Sequence, residues 1–183
     1  AWSGLLSTGY FLPTILNTLG LIFYDAWQLS AVTEEEGREK FFSNVFRSYS
    51  SVMFCCAAGI LWLCRPTMLI MKSSYYDSWQ FVPFLTLAAV MTCFNQFMNS
   101  IYVLYKRSTR SLYTMLTGAI ANCLMNYFFI LWWGPVGATY ASFLGLALVF
   151  LLRALDSRSL LKMRLQPGRI LVNLAILIVE AAI

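Results

Sequence analysis

The chain has 183 residues, of which 60% are hydrophobic and only 11% charged. Soluble domains carry about 25% charged residues, so an ordinary globular domain is excluded. The net charge is +5, but Lys and Arg flank apolar runs and form no continuous stripe. A nucleic-acid surface is thereby excluded, and the basic residues suit the anionic headgroups of a cytoplasmic leaflet.

Six apolar runs follow one another, at about 5–27, 48–64, 80–105, 112–133, 136–152 and 170–183. Backbone polar groups in lipid must be satisfied within the segment, so each run is expected to be a helix. The runs do not alternate apolar with polar residues, as barrel strands would. The expected fold is all-α: one polytopic transmembrane bundle over 1–183. The first residue is Ala and the chain stops inside an apolar run; a fragment of a longer protein is expected.

The first run holds Pro13, Asn17 and Gly20, and the proline is expected to permit a bend. Trp27, Trp79, Trp132 and Trp133 lie at run ends, where aromatic rings favour the water interface. In the gap 28–47, Thr33 stands in capping-box spacing with Glu36. That spacing points to a short surface helix, with a solvated charged loop as the alternative. The gap 65–79 opens with Arg65-Pro66, contains Met68 to Met71 and closes on Tyr75, Tyr76 and Trp79. A short outer interfacial helix is expected there. Only Gly134-Pro135 separates the fourth and fifth runs, which forces an antiparallel hairpin.

Charge fixes an orientation. Eleven of the thirteen Lys and Arg fall in the first, third and fifth gaps: Arg38, Lys40, Arg47, Lys106, Arg107, Arg110, Arg153, Arg158, Lys162, Arg164 and Arg169. The second gap holds Arg65 and Lys72, and the fourth holds none. By the positive-inside rule, 28–47, 106–111 and 153–169 are cytoplasmic loops of a multi-pass protein in the cell membrane.

Chemistry-bearing residues are few. Histidine is absent from the sequence. Cys55, Cys56, Cys64, Cys93 and Cys123 lie in or beside apolar runs without ligand spacing. They are read as buried free thiols, and no metal or cofactor is expected. Acid–base catalysis needs a placed titratable group. Asp25 sits at a helix end, and only Glu180 is deep, so an enzyme is not expected.

The third run carries Thr92, Asn95, Gln96, Asn99 and Tyr102, at helical spacing on one face that Lys106 continues. Three amides on one stripe are costly to leave in lipid. They line a wetted cavity or bond to neighbouring helices. In the fourth run, Gly118, Asn122 and Asn126 share a face. In the fifth, Gly137, Ala141 and Gly145 make a small-residue face, and the hairpin would press the two together. Arg47 offers a planar fork for phosphate at the inner mouth of the second run, or serves as a plain positive anchor.

Asn122-xxx-Asn126, an aromatic run and Gly134-Pro135-Val136-Gly137-Ala138-Thr139-Tyr140-Ala141-Ser142 resemble the N-xx-L-N, turn and G-xx-GAA-x-AT segment of the Wzx-type polysaccharide flippases. Thr139-Tyr140 departs from it where a small apolar pair is usual. Lys106-Arg107-Ser108-Thr109 resembles the preceding KKT stretch. Tyr24-Asp25-Ala26-Trp27 resembles the aromatic-Ala-Trp at an earlier inner helix end. Tyr76-Asp77-Ser78 to Val82-Pro83 resembles its Tyr-xx-A…VP segment. The resemblance implies a fold like the multidrug-and-toxin-extrusion transporters, with two six-helix lobes around a cavity, this chain being most of the second. It also implies flipping of a lipid-linked oligosaccharide on an isoprenoid diphosphate carrier. Asn95, Gln96, Asn99 and Tyr102 would line the cavity, and Arg47 or Lys106 would attract the diphosphate. The expected partners are that substrate, membrane lipids and a missing N-terminal lobe.

Three other readings remain open at the level of sequence. One is an ion-coupled exporter of cationic drugs on the same fold, which would want a buried carboxylate. Another is a membrane-embedded polysaccharide polymerase or acyltransferase, with Glu180 or Asp77 as its acid. The last is a non-transporting scaffold.

Overall fold

The computed structural model describes residues 9–33, 37–70, 81–161, 163 and 165–182. Six helices follow in order: α1 (Phe11–Thr33), α2 (Arg38–Ile70), α3 (Val82–Leu104), α4 (Ser108–Trp133), α5 (Pro135–Ser157) and α6 (Pro167–Ala182). No strand occurs among the described residues. Four helices are long and apolar enough to cross a membrane, namely α3, α4, α5 and the Arg38–Cys64 part of α2. This is consistent with a multi-pass membrane protein. The expectation of six spans is met by length and hydropathy at those four. Helix α6 is only 16 residues long, and α1 is interrupted by Asn17, Asp25 and Gln28.

The helix ends follow local chemistry. Pro83 stands at the start of α3, where its missing N–H would have had no intrahelical partner. The same helix ends in a Schellman motif. Arg107 N–H bonds the Tyr102 carbonyl at 2.8 Å and Lys106 N–H bonds that of Val103 at 3.1 Å. The turn puts Lys106 at φ 53°, a left-handed position that glycine usually fills. Gly134, between α4 and α5, has φ 63° and ψ −148°, a combination essentially reserved for glycine.

Several sequence expectations are corrected. Thr33 is the last residue of α1, and a single helix of 33 residues runs from Arg38 through the second apolar run, with Pro66 inside it. Glu34 to Glu36 lie outside the described residues. Of the expected outer interfacial helix, residues 65–70 belong to α2 and the rest lie outside the described residues. Pro13 is the third residue of α1, where its missing N–H breaks no bond within that helix; a turn at Tyr10 precedes it, and residues 1–8 lie outside the described residues. Trp27 is not at an interface; it is buried in the core. Trp79 lies outside the described residues, while Trp132 and Trp133 are exposed at the end of α4. Cys64 and Cys93 are buried as expected, but Cys55 and Cys123 are exposed on outer helix faces.

Helix α3 is the central pillar, buried over most of its length and packed by α1, α2 and α5. Between lipid-immersed helices, close packing and hydrogen bonds replace the hydrophobic effect as the cohesive force. Both are found on α3. Phe97 meets Trp27 at 5.3 Å and Phe46 at 5.1 Å between ring centroids, and Trp27 Nε1 donates to Ser100 Oγ at 3.1 Å. Gly20 lets α1 approach so closely that a Cβ there would meet Cys93 Sγ at 2.5 Å. In contrast, α4 buries only Gly118 and exposes Leu112, Leu116, Ile120, Leu124, Phe128 and Leu131. So large an apolar face is consistent with contact with lipid.

The α4–α5 hairpin forms as its spacing implied. Asn122 Nδ2 donates to the Ala141 carbonyl at 3.0 Å, and Asn126 Nδ2 to Asn122 Oδ1 at 2.8 Å. Added Cβ atoms at Gly118, Gly137 and Gly145 would run into Val149, the Phe129 backbone and Asn122. The basic loops gather at one end of the bundle. Arg110 Nη1 bonds Ser159 Oγ at 2.8 Å and Asp156 Oδ1 at 3.4 Å, and Arg169 Nη2 bonds Ser51 Oγ at 2.6 Å.

Candidate functional site

A cavity of about 450 Å³ lies in the half of the bundle nearer the basic loops, with α1 and α4 on its flanks and α3 and α5 behind. Leu21 and Tyr24 come from α1, Thr92, Asn95, Gln96 and Asn99 from α3, Ser111 and Met115 from α4, and Gly145, Val149 and Arg153 from α5. Its size is that of a small-molecule site. Gly118 and Gly145, which let α4 and α5 close on each other, are also in its wall, so the hairpin contact sets one side of the cavity.

The polar residues form a connected chain. Tyr24 Oη accepts from Asn99 Nδ2 at 3.2 Å. Asn99 Oδ1 accepts from Ser111 Oγ at 2.6 Å. Ser111 Oγ in turn accepts from Arg153 Nη2 at 3.1 Å. Arg153 also donates through Nη1 to the Asn95 carbonyl at 2.7 Å and through Nε to Thr114 Oγ1 at 3.3 Å. Asn95 Nδ2 donates to the Leu146 carbonyl at 2.9 Å, holding α3 to α5. Two oxygens are left over: Asn95 Oδ1 and Gln96 Oε1 are buried and accept no hydrogen bond.

Arg153 is the feature that sequence reading missed. Hydropathy ends the fifth apolar run at Leu152 and so places Arg153 among the cytoplasmic loop cations. Helix α5 instead continues to Ser157 and carries Arg153 into the wall, where it is 5% exposed. A signal was present. Gly137, Ala141, Gly145, Val149 and Arg153 repeat every four residues, so the cation extends the small-residue face that packs inward. Its ring partner is Tyr102, with the guanidinium carbon 5.9 Å from the ring centroid.

The six expected cavity residues divide evenly. Asn95, Gln96 and Asn99 line the cavity together, with Thr92 beside them. Tyr102 does not: it is fully buried beneath Arg153, because one more turn of α3 carries that face under α5. Arg47 is exposed and lies elsewhere, beside Ser50, Gln166 and Arg169 in a crevice of about 10 Å³, too small for more than a water. Lys106 is exposed in the turn after α3, where the left-handed backbone directs the chain away from the helix axis. Gly118, Asn122, Gly137, Ala141 and Gly145 are found at the α4–α5 contact, whereas Asn126 bonds Asn122 one turn back on its own helix. Among the described residues no group of three or more His, Cys, Asp or Glu could hold a metal. Compared with protein-family models, curated proteins and solved structures, the chain matches none.

Proposed function

We propose that this chain is the second lobe of an alternating-access flippase that carries a lipid-linked oligosaccharide across the cytoplasmic membrane. The observation that supports the reading most is the cavity itself. Three amides, three hydroxyl groups and one guanidinium converge in a bundle with four helices long and apolar enough to span a bilayer. A glycosyl headgroup with its phosphates cannot enter hydrocarbon without losing its hydration, at a cost of many kcal/mol. Amides replace that hydration well, since each both donates and accepts. The basic loops at one end would attract the anionic headgroup from the cytoplasmic side. Rocking against a first lobe, on the pattern of repeat-built transporters, would expose the cavity to each side in turn.

The cationic-drug exporter is less well supported. Such a cargo needs a carboxylate opposite it, whereas the charged residue in this lining is Arg153. The test is export. Asn95→Ala combined with Asn99→Ala removes two amides from the cavity. At about 1 kcal/mol for each lost bond, transport of surface polysaccharide should fall by about tenfold or more, with normal membrane insertion and protein level. Undiminished export in the double variant would refute the assignment.

A further inference from the structure

Arg153 has more binding capacity than the protein uses. A guanidinium has five N–H donors. Three are occupied, by the Asn95 carbonyl, Thr114 Oγ1 and Ser111 Oγ. All three acceptors are neutral. Asp156, one turn along α5, pairs with Arg110 at 3.4 Å, and no described carboxylate lies within ion-pair distance of Arg153. An ion removed from water is retained at large cost unless an opposite charge joins it. The neutral acceptors fix the orientation of the fork without satisfying its charge. Beside it in the same lining, Asn95 Oδ1 and Gln96 Oε1 are buried acceptors without donors.

The unmet groups are therefore of two kinds: a cation with two spare N–H groups, and two carbonyl oxygens that want hydroxyl or amine donors. We propose that Arg153 receives the oxyanion of a glycosyl cargo, a phosphate or carboxylate on a sugar, while Asn95 and Gln96 accept hydrogen bonds from its hydroxyl groups. A guanidinium fork matches two oxygens of either anion side by side. Ser111 and Asn99 hold the fork in place through the hydrogen-bond chain to Tyr24. This deepens the flippase reading, because it moves the anion contact from the loop cations to the cavity wall. It is a claim about binding and is tested apart from transport.

The full-length protein in lipid nanodiscs is titrated calorimetrically with glucose 1-phosphate, glucuronate and neutral methyl glucoside. A parallel arm uses nanodiscs containing a polyprenyl-phosphate-linked sugar, scored by native mass spectrometry. The soluble and lipid-borne arms show which source of the oxyanion the site takes. Arg153→Gln should weaken binding of the anionic sugars by about 10- to 100-fold, the worth of a charge-assisted pair, and leave methyl glucoside nearly unchanged. Arg153→Lys, which keeps the charge and loses the fork, should fall between.

A second variant covers the case in which Arg153→Gln fails to fold. Met115 lines the cavity one helical turn from Ser111 and is itself 63% exposed. Met115→Glu leaves Arg153 in place and supplies an internal carboxylate to compete with the cargo. It should abolish anionic-sugar binding in a folded protein. Binding of no anionic sugar by the unmodified protein, or equal binding in Met115→Glu, would overturn the proposal. If Asn95 and Asn99 variants lose export while Arg153 and Met115 variants bind as the unmodified protein does, the flippase reading stands and this inference fails. The reverse pattern leaves an anion site in a protein that is not a flippase.

Discussion

Gly145→Ala tests the contact on which the cavity wall depends. An added Cβ would lie 2.6 Å from Asn122 Nδ2, 2.9 Å from Asn122 Cβ and 3.2 Å from Asn122 Cγ. The amide can rotate, but the Cβ is fixed to the α4 backbone, so the helices must part. Overpacking of this kind costs about 1–3 kcal/mol. Displacing the amide also loses its bond to the Ala141 carbonyl, worth about 0.6–1.7 kcal/mol between membrane helices. The higher helix propensity of alanine returns about 1 kcal/mol. A net destabilisation of about 1–3 kcal/mol remains. Unfolding in mixed micelles of mild detergent and dodecyl sulfate measures it.

Asn122→Gly removes all three contacting atoms and supplies the second half of a double-mutant cycle. With the space restored, the double variant should be more stable than the sum of the single effects by about 1–2 kcal/mol. Stabilisation by Gly145→Ala, as propensity alone would give on an exposed face, would refute the close approach. Additivity within about 0.5 kcal/mol would do the same.

Two further outcomes follow from backbone geometry. Gly134→Ala places a side chain at φ 63°, ψ −148° and should destabilise the hairpin by about 1–3 kcal/mol in the same assay; an unchanged midpoint would mean that the turn does not hold this conformation. Lys106→Gly relieves a left-handed non-glycine position and should raise stability by up to about 1 kcal/mol, the left-handed penalty less the lost attraction to the helix end. A comparable loss would show that the lysine contributes more than it strains.

The helices were legible because hydropathy is a local property. Twenty apolar residues in succession cross a bilayer whatever their neighbours are, and Gly134-Pro135 leaves room only for a hairpin. The four-residue repeats of Gly118-Asn122-Asn126 and Gly137-Ala141-Gly145 were sufficient to pair α4 with α5, because one short turn leaves those faces no other partner. The amide stripe of α3 was likewise visible as a face, since helical spacing puts Asn95, Gln96 and Asn99 on one side. What that face meets was not visible. Four helices meet around it, and each is free in sequence terms to rotate and tilt. Packing made Asn99 and Ser111 neighbours, put Tyr102 under a guanidinium and left Arg47 outside.

Trp27 and Arg153 show the same limit from opposite directions. Each sits at the end of an apolar run, where a tryptophan or an arginine ordinarily marks the water boundary. Composition along one strand of chain cannot separate a helix end that reaches water from one that other helices cover. Here α2 and α3 close over Trp27 with Phe42 and Phe97, and α3 and α4 supply acceptors to Arg153. The sequence by itself determined that the chain is helical, the order of its apolar runs and the hairpin, because these follow from interactions within a few residues. The tertiary structure alone decided where the cation lies, because the atoms that hold it are separated by 39 to 58 residues along the chain.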